Sequence, residues 1–488
     1  MAKQAIELKY AVRFRVVLKY FGQLCIVLAA LTLVPLVMSV IFGDLTISLR
    51  YGIVVGMLAV FGASLARLRT PVRMQANEGM VLVALMYLLT SLVMSYPMMG
   101  SGLGFLDALF EVISGITTTG LTTTETLVGA SSTFLFGRAW MQWYGGLGIL
   151  VFSLALFLIQ PGLFAKSLAV TETEPDNLIG GIRAHTRRVL TVYSVLTALG
   201  IIGSLLVGMK LFDAVLYTFT AVSTAGFSPY DSSLAMLDWP AQVWITLLCL
   251  AGAVPLMLFY RLLTKNKRVA VDFLQLKAIV IASLVVSLAV GALMRLSGGM
   301  AWPQVFHHAP LLAISAQTNT GFSSMSVAQL DAGSKLVLIL SMIVGGGTGS
   351  TAGGFKLLRL LIAASVLRLI LLRTCLPQHA VIEPRLAGRR LLDREIHATL
   401  VIIMAFFSVV VFSWLPFVAM GYSPLDSLFE VVSATATTGL SVGLTSPALP
   451  AALKSILCID MLMGRLEIIA WLVMLYPGTW FGKRMEVT

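Results

Sequence analysis

ITTTGLT at residues 116–122 ends a short apolar stretch in a run of hydroxyl side chains closed by one glycine. The same reading returns as STAGFS at 223–228, TNTGFS at 318–323 and TATTGLS at 435–441. Aligned on Gly120, Gly226, Gly321 and Gly439, the four copies stay in register without gaps. Each has Ser or Thr six residues earlier (Ser114, Thr220, Ser315, Ser433), Thr or Asn two earlier (Thr118, Thr224, Asn319, Thr437) and Ser or Thr two later (Thr122, Ser228, Ser323, Ser441). Three copies place an acid thirteen residues ahead of the glycine, Asp107, Asp213 and Asp426, where the third has His308 beside His307. Four columns held in register predict four equivalent units in one chain.

The flanking sequence sets the solvent. With 488 residues, 58% of them hydrophobic and 11% charged, and a mean hydropathy of +0.93, the chain cannot be soluble and globular, a class whose apolar share is typically about 45–50%. Ten apolar runs are long enough to cross a hydrocarbon core, which takes about 20 residues. They lie near 16–42, 47–66, 79–99, 136–160, 188–209, 239–263, 276–296, 334–372, 398–420 and 455–477. No cleavable signal peptide is expected, because the first nineteen residues carry Lys3, Lys9, Arg13, Arg15 and Lys19 without a small-residue cleavage site.

The net charge of +12 is distributed as a topology signal. Most of the 34 Lys and Arg fall in alternate loops: Arg67, Arg69 and Arg73; Lys166, Arg183, Arg187 and Arg188; Arg261, Lys265, Lys267, Arg268 and Lys277; Lys356, Arg359, Arg368, Arg373, Arg385, Arg389, Arg390 and Arg394; and the tail residues Lys483 and Arg484. Positive loops face the cytoplasm, which puts both termini inside. Cys25, Cys249, Cys375 and Cys458 lack metal-ligand spacing, no two of the five histidines have HExxH spacing, and no Walker motif occurs. Enzyme chemistry and ATP-driven pumping by this chain alone are not expected.

Between the third and tenth runs the order is helix, short glycine-ended segment, helix, four times over. Segments such as 107–119 and 426–438 are too short to cross a bilayer and read as re-entrant. Non-helical backbone at membrane depth is tolerated only where protein or a water-filled cavity lines it, so four such hairpins must share one cavity. The expected fold is an all-α polytopic membrane protein with four helix/pore-loop/helix repeats around a central pore: residues 76–165, 166–268, 269–373 (with a glycine-rich broken helix) and 374–488, after an N-terminal two-helix extension at 1–75.

Removing water from a monovalent cation takes oxygen atoms aimed at a common axis, and a ring of backbone carbonyls is a rigid source of them. Successive inward turns of the backbone require dihedrals that glycine adopts most easily. Each stretch ahead of the loop, for example Asp107 to Gly115, reads as a half-helix capped by its Asp that points its negative dipole end at the loop. An anion site would instead call for helix N-termini or Arg and Lys, and the four motifs hold no basic residue. The candidate ion-binding residues are Thr118, Thr119, Gly120, Thr224, Ala225, Gly226, Asn319, Thr320, Gly321, Thr437, Thr438 and Gly439. Glu111 and Glu430, nine ahead of their glycines, are expected to buttress the helices behind the loops, and His307 and His308 to be exposed imidazoles at an outer helix start.

GGGTGSTAGG at 345–354 holds six glycines in ten residues, far too many for a regular helix when each costs about 1 kcal/mol relative to Ala. P-loop and GxGxxG spacings both fail there. The helix must break, and Gly345, Gly346, Gly347, Gly349, Gly353 and Gly354 are candidate gating residues. Arg465 stands in an apolar run with Asp460 and Glu467. At an insertion cost of at least about 2.5–3.5 kcal/mol it should face protein or water. It either pairs with Asp460, Glu467 or another helix, or sets a fixed positive charge near the cavity under the loops.

These loops, the helix order and the N-terminal pair together resemble the Trk/Ktr/HKT superfamily of potassium uptake proteins, in particular the bacterial Trk-type membrane subunit, over essentially the whole chain. The resemblance implies that each loop is a quarter of a potassium selectivity filter, that the glycine-rich segment is a mobile gate beneath it, and that K+ is the permeant ligand with no organic cofactor in this chain. Gly120 occupies the place where sodium-favouring plant members carry serine, which implies potassium. It also implies a bacterial inner-membrane location, a homodimer and a cytosolic nucleotide-binding regulatory subunit. A K+ symporter coupled to H+ or Na+ is the alternative.

Overall fold

The computed structural model describes residues 11–70, 74–159, 178–264, 270–375, 377 and 383–481. Of the basic residues assigned to the inner face, Lys3, Lys9, Arg73, Lys166, Lys265, Lys267, Arg268, Lys483 and Arg484 lie outside the described residues, as do the repeat boundaries at 165/166 and 268/269. Apart from an antiparallel hairpin of β1 (Arg385–Leu386) and β2 (Arg389–Arg390), the regular structure is helical.

Two long helices come first, α1 (Phe14–Ile41) and α2 (Leu45–Ala66). They turn at Gly43, whose φ is +75°, and α2 starts at Asp44, which accepts from the Ile47 amide at 3.3 Å. Where they cross, a Cβ on Gly22 or on Gly62 would come within 3.0 Å of the other's carbonyl oxygen. Small residues let membrane helices approach this closely.

After the pair the order helix, half-helix, loop, helix occurs four times. The first set is α3 (Ala76–Met98), α4 (Phe105–Ile116) and α5 (Ser132–Ile159). The second is α6 (Leu178–Leu206), α7 (Leu211–Val222) and α8 (Trp239–Ala253) with α9 (Leu256–Leu263). The third is α10 (Ala270–Leu296), α11 (Trp302–Gln317) and α12 (Ala332–Val344) with α13 (Leu357–Thr374). The fourth is α14 (Asp393–Ala419), α15 (Pro424–Thr435) and α16 (Ala451–Arg465) with α17 (Ile469–Leu475).

Of the ten apolar runs read as spans, the eighth breaks where its glycines predict, and the reading is corrected at two others, 239–263 and 455–477, which are also broken. Among the described residues six helices are long and apolar enough to cross a membrane, or seven with α8 and α9 counted as one bent span. The run 239–263 bends by 88° between α8 and α9, because Pro255 has no amide to donate and forces Val254 into extended backbone at ψ 146°. The run 334–372 breaks over 345–356 at the glycine cluster. The run 455–477 breaks at Glu467 and Ile468, both left-handed at φ 55° and 64°. The glycine cluster marks the second of these breaks and Pro255 the first, whereas no glycine or proline stands at Glu467 and Ile468.

Only 22% of the apolar stretch of α10, and the same share of α14, is buried. Val280, Ile281, Leu284, Val285 and Leu288 of α10 are all exposed, an apolar face that a bilayer, not water, solvates. The chain is an integral membrane protein. The half-helices occupy the opposite environment: Phe110, Leu312 and Phe429 are fully buried in one apolar cluster that reaches Leu457 of α16. The two ends of the described chain meet on one side, where Val12 donates to the Thr479 carbonyl at 2.9 Å and Arg13 pairs with buried Glu78 of α3 at 2.7 Å.

Candidate functional site

Each half-helix ends in the same way. The amide two residues before the marker glycine donates to the carbonyl three residues back (Thr118 to Gly115 at 3.0 Å, Thr224 to Ala221 at 3.0 Å, Asn319 to Ala316 at 3.2 Å, Thr437 to Ala434 at 3.0 Å). The next amide reaches five back (Thr119 to Ser114 at 2.9 Å, Ala225 to Thr220 at 2.8 Å, Thr320 to Ser315 at 3.0 Å, Thr438 to Ser433 at 2.8 Å). This is the Schellman closure, which normally puts glycine in the left-handed position. Here that position holds Thr118, Thr224, Asn319 and Thr437, at φ 54°, 49°, 52° and 49°. A left-handed residue with a Cβ costs about 1–2 kcal/mol, and β-branched threonine is an outlier there. Strain repeated at four equivalent positions is the kind that surrounding structure holds in place at functional sites.

Two residues on, the glycines also have positive φ: 94° at Gly120, 78° at Gly226, 85° at Gly321 and 86° at Gly439. Dihedral freedom is only half of their role. A Cβ on Gly120 would lie closer than 3.0 Å to the Ala225 carbonyl oxygen, on Gly226 to that of Thr320, on Gly321 to that of Thr438, and on Gly439 to that of Thr119. Loop one therefore abuts loop two, two abuts three, three abuts four, and four returns to one. The twelve candidate residues come together in one closed ring, with Thr118, Thr119, Thr224, Ala225, Asn319, Thr320, Thr437 and Thr438 all buried.

The loops are braced from behind. Glu111 takes the Thr122 hydroxyl, the Thr123 amide at 2.9 Å and an ion pair with Arg138 at 3.0 Å. Glu430 takes the Ser441 hydroxyl at 2.7 Å, the amides of Val442 and Thr445 at 3.2 and 3.1 Å, and the Thr445 hydroxyl. In the second repeat Tyr217 occupies that column and holds Ser228 at 2.9 Å. The buttressing role assigned to the two glutamates is therefore what the geometry displays, with Tyr217 as a third member. Glu430→Ala would leave four donors without their acceptor, those of Val442 and Thr445 being buried, and unsatisfied buried donors cost about 1–3 kcal/mol each. Its thermal midpoint in detergent should drop by more than that of Leu312→Ala, the same column in the third repeat.

The acid column does not cap its helices. The N-caps are Gly104, Lys210 and Ser423, none with a side-chain cap bond, and Asp107, Asp213 and Asp426 sit in the first turn. The helices begin earlier than the acids, which frees the carboxylates for other elements. Asp107 pairs with Lys454 of α16 at 2.5 Å and Asp426 with Lys335 of α12 at 2.8 Å. Asp213 accepts from Tyr230 at 3.0 Å. His307 and His308 are half-buried, not exposed: their rings stack at 4.5 Å, His307 bonds Gln242 of α8 at 2.9 Å and His308 bonds Ser324 at 2.9 Å. Three of the four junctions between consecutive repeats are thus clasped by a residue of one second helix and a half-helix of the next.

The glycine-rich segment runs directly against this ring. The Gly347 amide donates to the Ala253 carbonyl at 3.0 Å, and the Leu256 amide to the Gly349 carbonyl at 3.1 Å, which joins the segment to the bend at Pro255. The Gly346 carbonyl accepts from Leu357 at 3.0 Å. The Gly354 amide donates to Ala436 of the fourth loop at 3.0 Å, and a Cβ on Gly353 would overlap that carbonyl and the Thr437 hydroxyl. The Thr224 hydroxyl bonds that of Thr351 at 3.2 Å, and the Gln317 amide group bonds the Gly345 carbonyl at 2.7 Å.

Arg465 reaches the same segment. Its guanidinium donates to the Thr351 carbonyl at 2.9 Å and to Gly145 at 3.3 Å. Among the described residues it has no acid within ion-pair distance: Asp460 accepts from Ser413 at 2.5 Å, and Glu467 pairs with Arg359. Of the two readings of Arg465, pairing with Asp460 or Glu467 is not what the structure has: the guanidinium bonds one carbonyl in the glycine-rich segment and one within α5.

Two features escape a sequence reading. Gln142 of α5, fully buried, brackets Gly226, donating to the Ala225 carbonyl at 2.9 Å and accepting from the Phe227 amide at 3.0 Å. Gly145, Gly252 and Gly464 each face the last carbonyl of a half-helix, of Ile116, Val222 and Thr435, more closely than a Cβ could fit. They stand 25, 26 and 25 residues after their marker glycines, a spacing that slips by one in the second copy and so falls out of the ungapped register.

The family profile of TrkH, a cation transport protein, matches residues 51–477. An uncharacterized cation transporter of Methanocaldococcus jannaschii is 30% identical over 465 residues, covering 94% of each chain. The Trk system potassium uptake protein TrkI of Halomonas elongata is 29% identical over 485 residues, covering 96% of this chain and 97% of that one. The crystal structure of the potassium transporter TrkH from Vibrio parahaemolyticus has the same fold, with a TM-score of 0.84 at 23% identity, covering 96% of this chain and all of that one.

Proposed function

The chain belongs to the TrkH family of cation transport proteins, and from that premise we propose that it takes potassium into the cell through the ring of four loops, as a gated, channel-like pathway. The observation that carries this is the closed ring, in which each marker glycine lies against the carbonyl oxygen of the next loop. Such a ring supplies many peptide oxygens and no basic side chain, and the C-terminal ends of four half-helices add about half a negative charge each. A relative of almost the same length is named as a potassium uptake protein. Thr118, Thr119, Gly120 and their counterparts Thr224, Ala225, Gly226, Asn319, Thr320, Gly321, Thr437, Thr438 and Gly439 would then exchange the hydration shell of K+ for protein oxygen. The membrane potential suffices to drive accumulation, since one charge moved through 100 mV is worth about 2.3 kcal/mol, roughly fifty-fold.

In the same reading the glycines from Gly345 to Gly354 form the gate under the ring and Arg465 restrains it. The four repeats follow the boundaries given above. The protein lies in the bacterial cytoplasmic membrane with both termini inside, as a homodimer whose basic inner face docks a cytosolic nucleotide-binding regulatory subunit. Purified protein in liposomes should take up Rb+ when an inside-negative potential is imposed with Na+ and H+ equal on both sides. No flux under any potential would reject the reading, and flux that needs an H+ or Na+ gradient would replace it with symport.

A further inference from the structure

The third repeat departs from the other three in two columns, and both departures reach the same place. Four residues before the glycine stand Ile116, Val222, Gln317 and Thr435; two before it stand Thr118, Thr224, Asn319 and Thr437. Only the third repeat puts a primary amide in either column. The Gln317 amide group donates to the Gly345 carbonyl at 2.7 Å and its oxygen accepts from Ser341 at 2.9 Å. The Asn319 amide group donates to the Met342 carbonyl at 2.9 Å and to the Thr438 hydroxyl of the fourth loop at 2.7 Å. Both side chains are buried, at 1% and 0% exposure, and among the described residues the Asn319 oxygen has no bonded partner. Met342 and Gly345 mark the end of α12 and the first residue of the glycine-rich segment.

We propose that Gln317 and Asn319 are positioning residues that latch the glycine-rich segment to the ion-selecting ring, so that ring occupancy and opening of the segment oppose each other. This rests on the transport reading above and adds to it a residue-level coupling. The segment cannot leave without breaking the Gln317 bond at Gly345, its first residue, and pulling on the end of α12 that the Asn319 bond at Met342 holds; a buried amide left without its partner costs about 1–3 kcal/mol. Loop three, whose backbone is left-handed at Asn319, then keeps its bond to Thr438 but loses its anchors toward α12, and the ring loosens. A cation that fits the ring binds the latched arrangement better than the released one. Linkage makes the effect reciprocal: filling the ring favours the latched, closed segment, and opening weakens the ring's hold so the ion can leave. Threonine at Asn319, or valine at Gln317, is what another repeat already carries at that column and is too short to reach α12.

The test is single-channel recording of the full chain in planar bilayers with K+, then Rb+, varied on the ring side. Wild-type open probability should fall as permeant ion rises. Gln317→Val should raise open probability about fivefold, the worth of one net hydrogen bond, and flatten its dependence on ion concentration, with unitary conductance and K+/Na+ permeability ratio unchanged. Asn319→Thr should change gating in the same direction, and Ser341→Ala, which only frees the Gln317 oxygen, should do so more weakly if Gln317→Val does not fold. Wild-type opening insensitive to the permeant ion, or variants that keep the wild-type dependence, would overturn the coupling. A wild-type chain that passes no K+ at all would instead fail the transport reading on which it stands.

Discussion

Gly439→Ala should abolish Rb+ uptake in liposomes, lowering it at least about a hundredfold, while the protein still purifies as a single species in detergent. Two effects act together. The backbone at Gly439 has φ 86°, which costs a residue with a Cβ about 1–2 kcal/mol. The added Cβ would also overlap the Thr119 carbonyl oxygen and crowd Gly120, so the first and fourth loops must part. Parting displaces oxygens whose value lies in their position, and a misplacement of about 1 Å can cost a hundredfold where geometry sets the rate. Gly129→Ala separates the two effects. Its φ is 80°, but nothing lies within 4 Å of the new Cβ, so it carries the strain without the overlap and should keep flux near wild type. Full uptake in Gly439→Ala would mean that the ring is not the pathway.

How far the sequence could be read follows from which interactions are local. The four-copy register, the half-helices and the glycine break at 345–354 depend on residues close in the chain, and all are recovered. The left-handed threonines are not legible, because threonine is a poor choice for that backbone and only the closing of the ring makes it adopt it. The Asp column differs from the expected set of caps for a related reason. A carboxylate near a helix start usually binds its own backbone, whereas Asp107 finds Lys454, a residue far along the chain in the fourth repeat. The same holds for Gln142 and the loop it brackets, 83 residues away. The bend at Val254–Pro255 had a local signal in the proline, which a continuous apolar run concealed.

Arg465→Met should raise basal flux about tenfold or more. In the structure the guanidinium joins the break in the third repeat to a helix of the first, bonding Thr351 inside the glycine-rich segment and Gly145 of α5. Hydrogen bonds from a charged donor contribute about 1.5–3 kcal/mol net, which is ten- to a hundredfold in a two-state equilibrium. Methionine keeps much of the volume and leaves no buried charge behind, so loss of the brace, not an unpaired ion, dominates the outcome. Arg465→Lys tells a brace from an electrostatic barrier. Lysine keeps the positive charge but not the fork that spans two carbonyls. If the charge alone limits flux, Lys should match wild type. If the brace limits it, as the bonds to Thr351 and Gly145 indicate, Lys should fall between wild type and Met. Flux in Met equal to wild type, with the protein folded and inserted, would remove Arg465 from the gate and leave the segment held by its bonds to the loops and to the bend at Pro255.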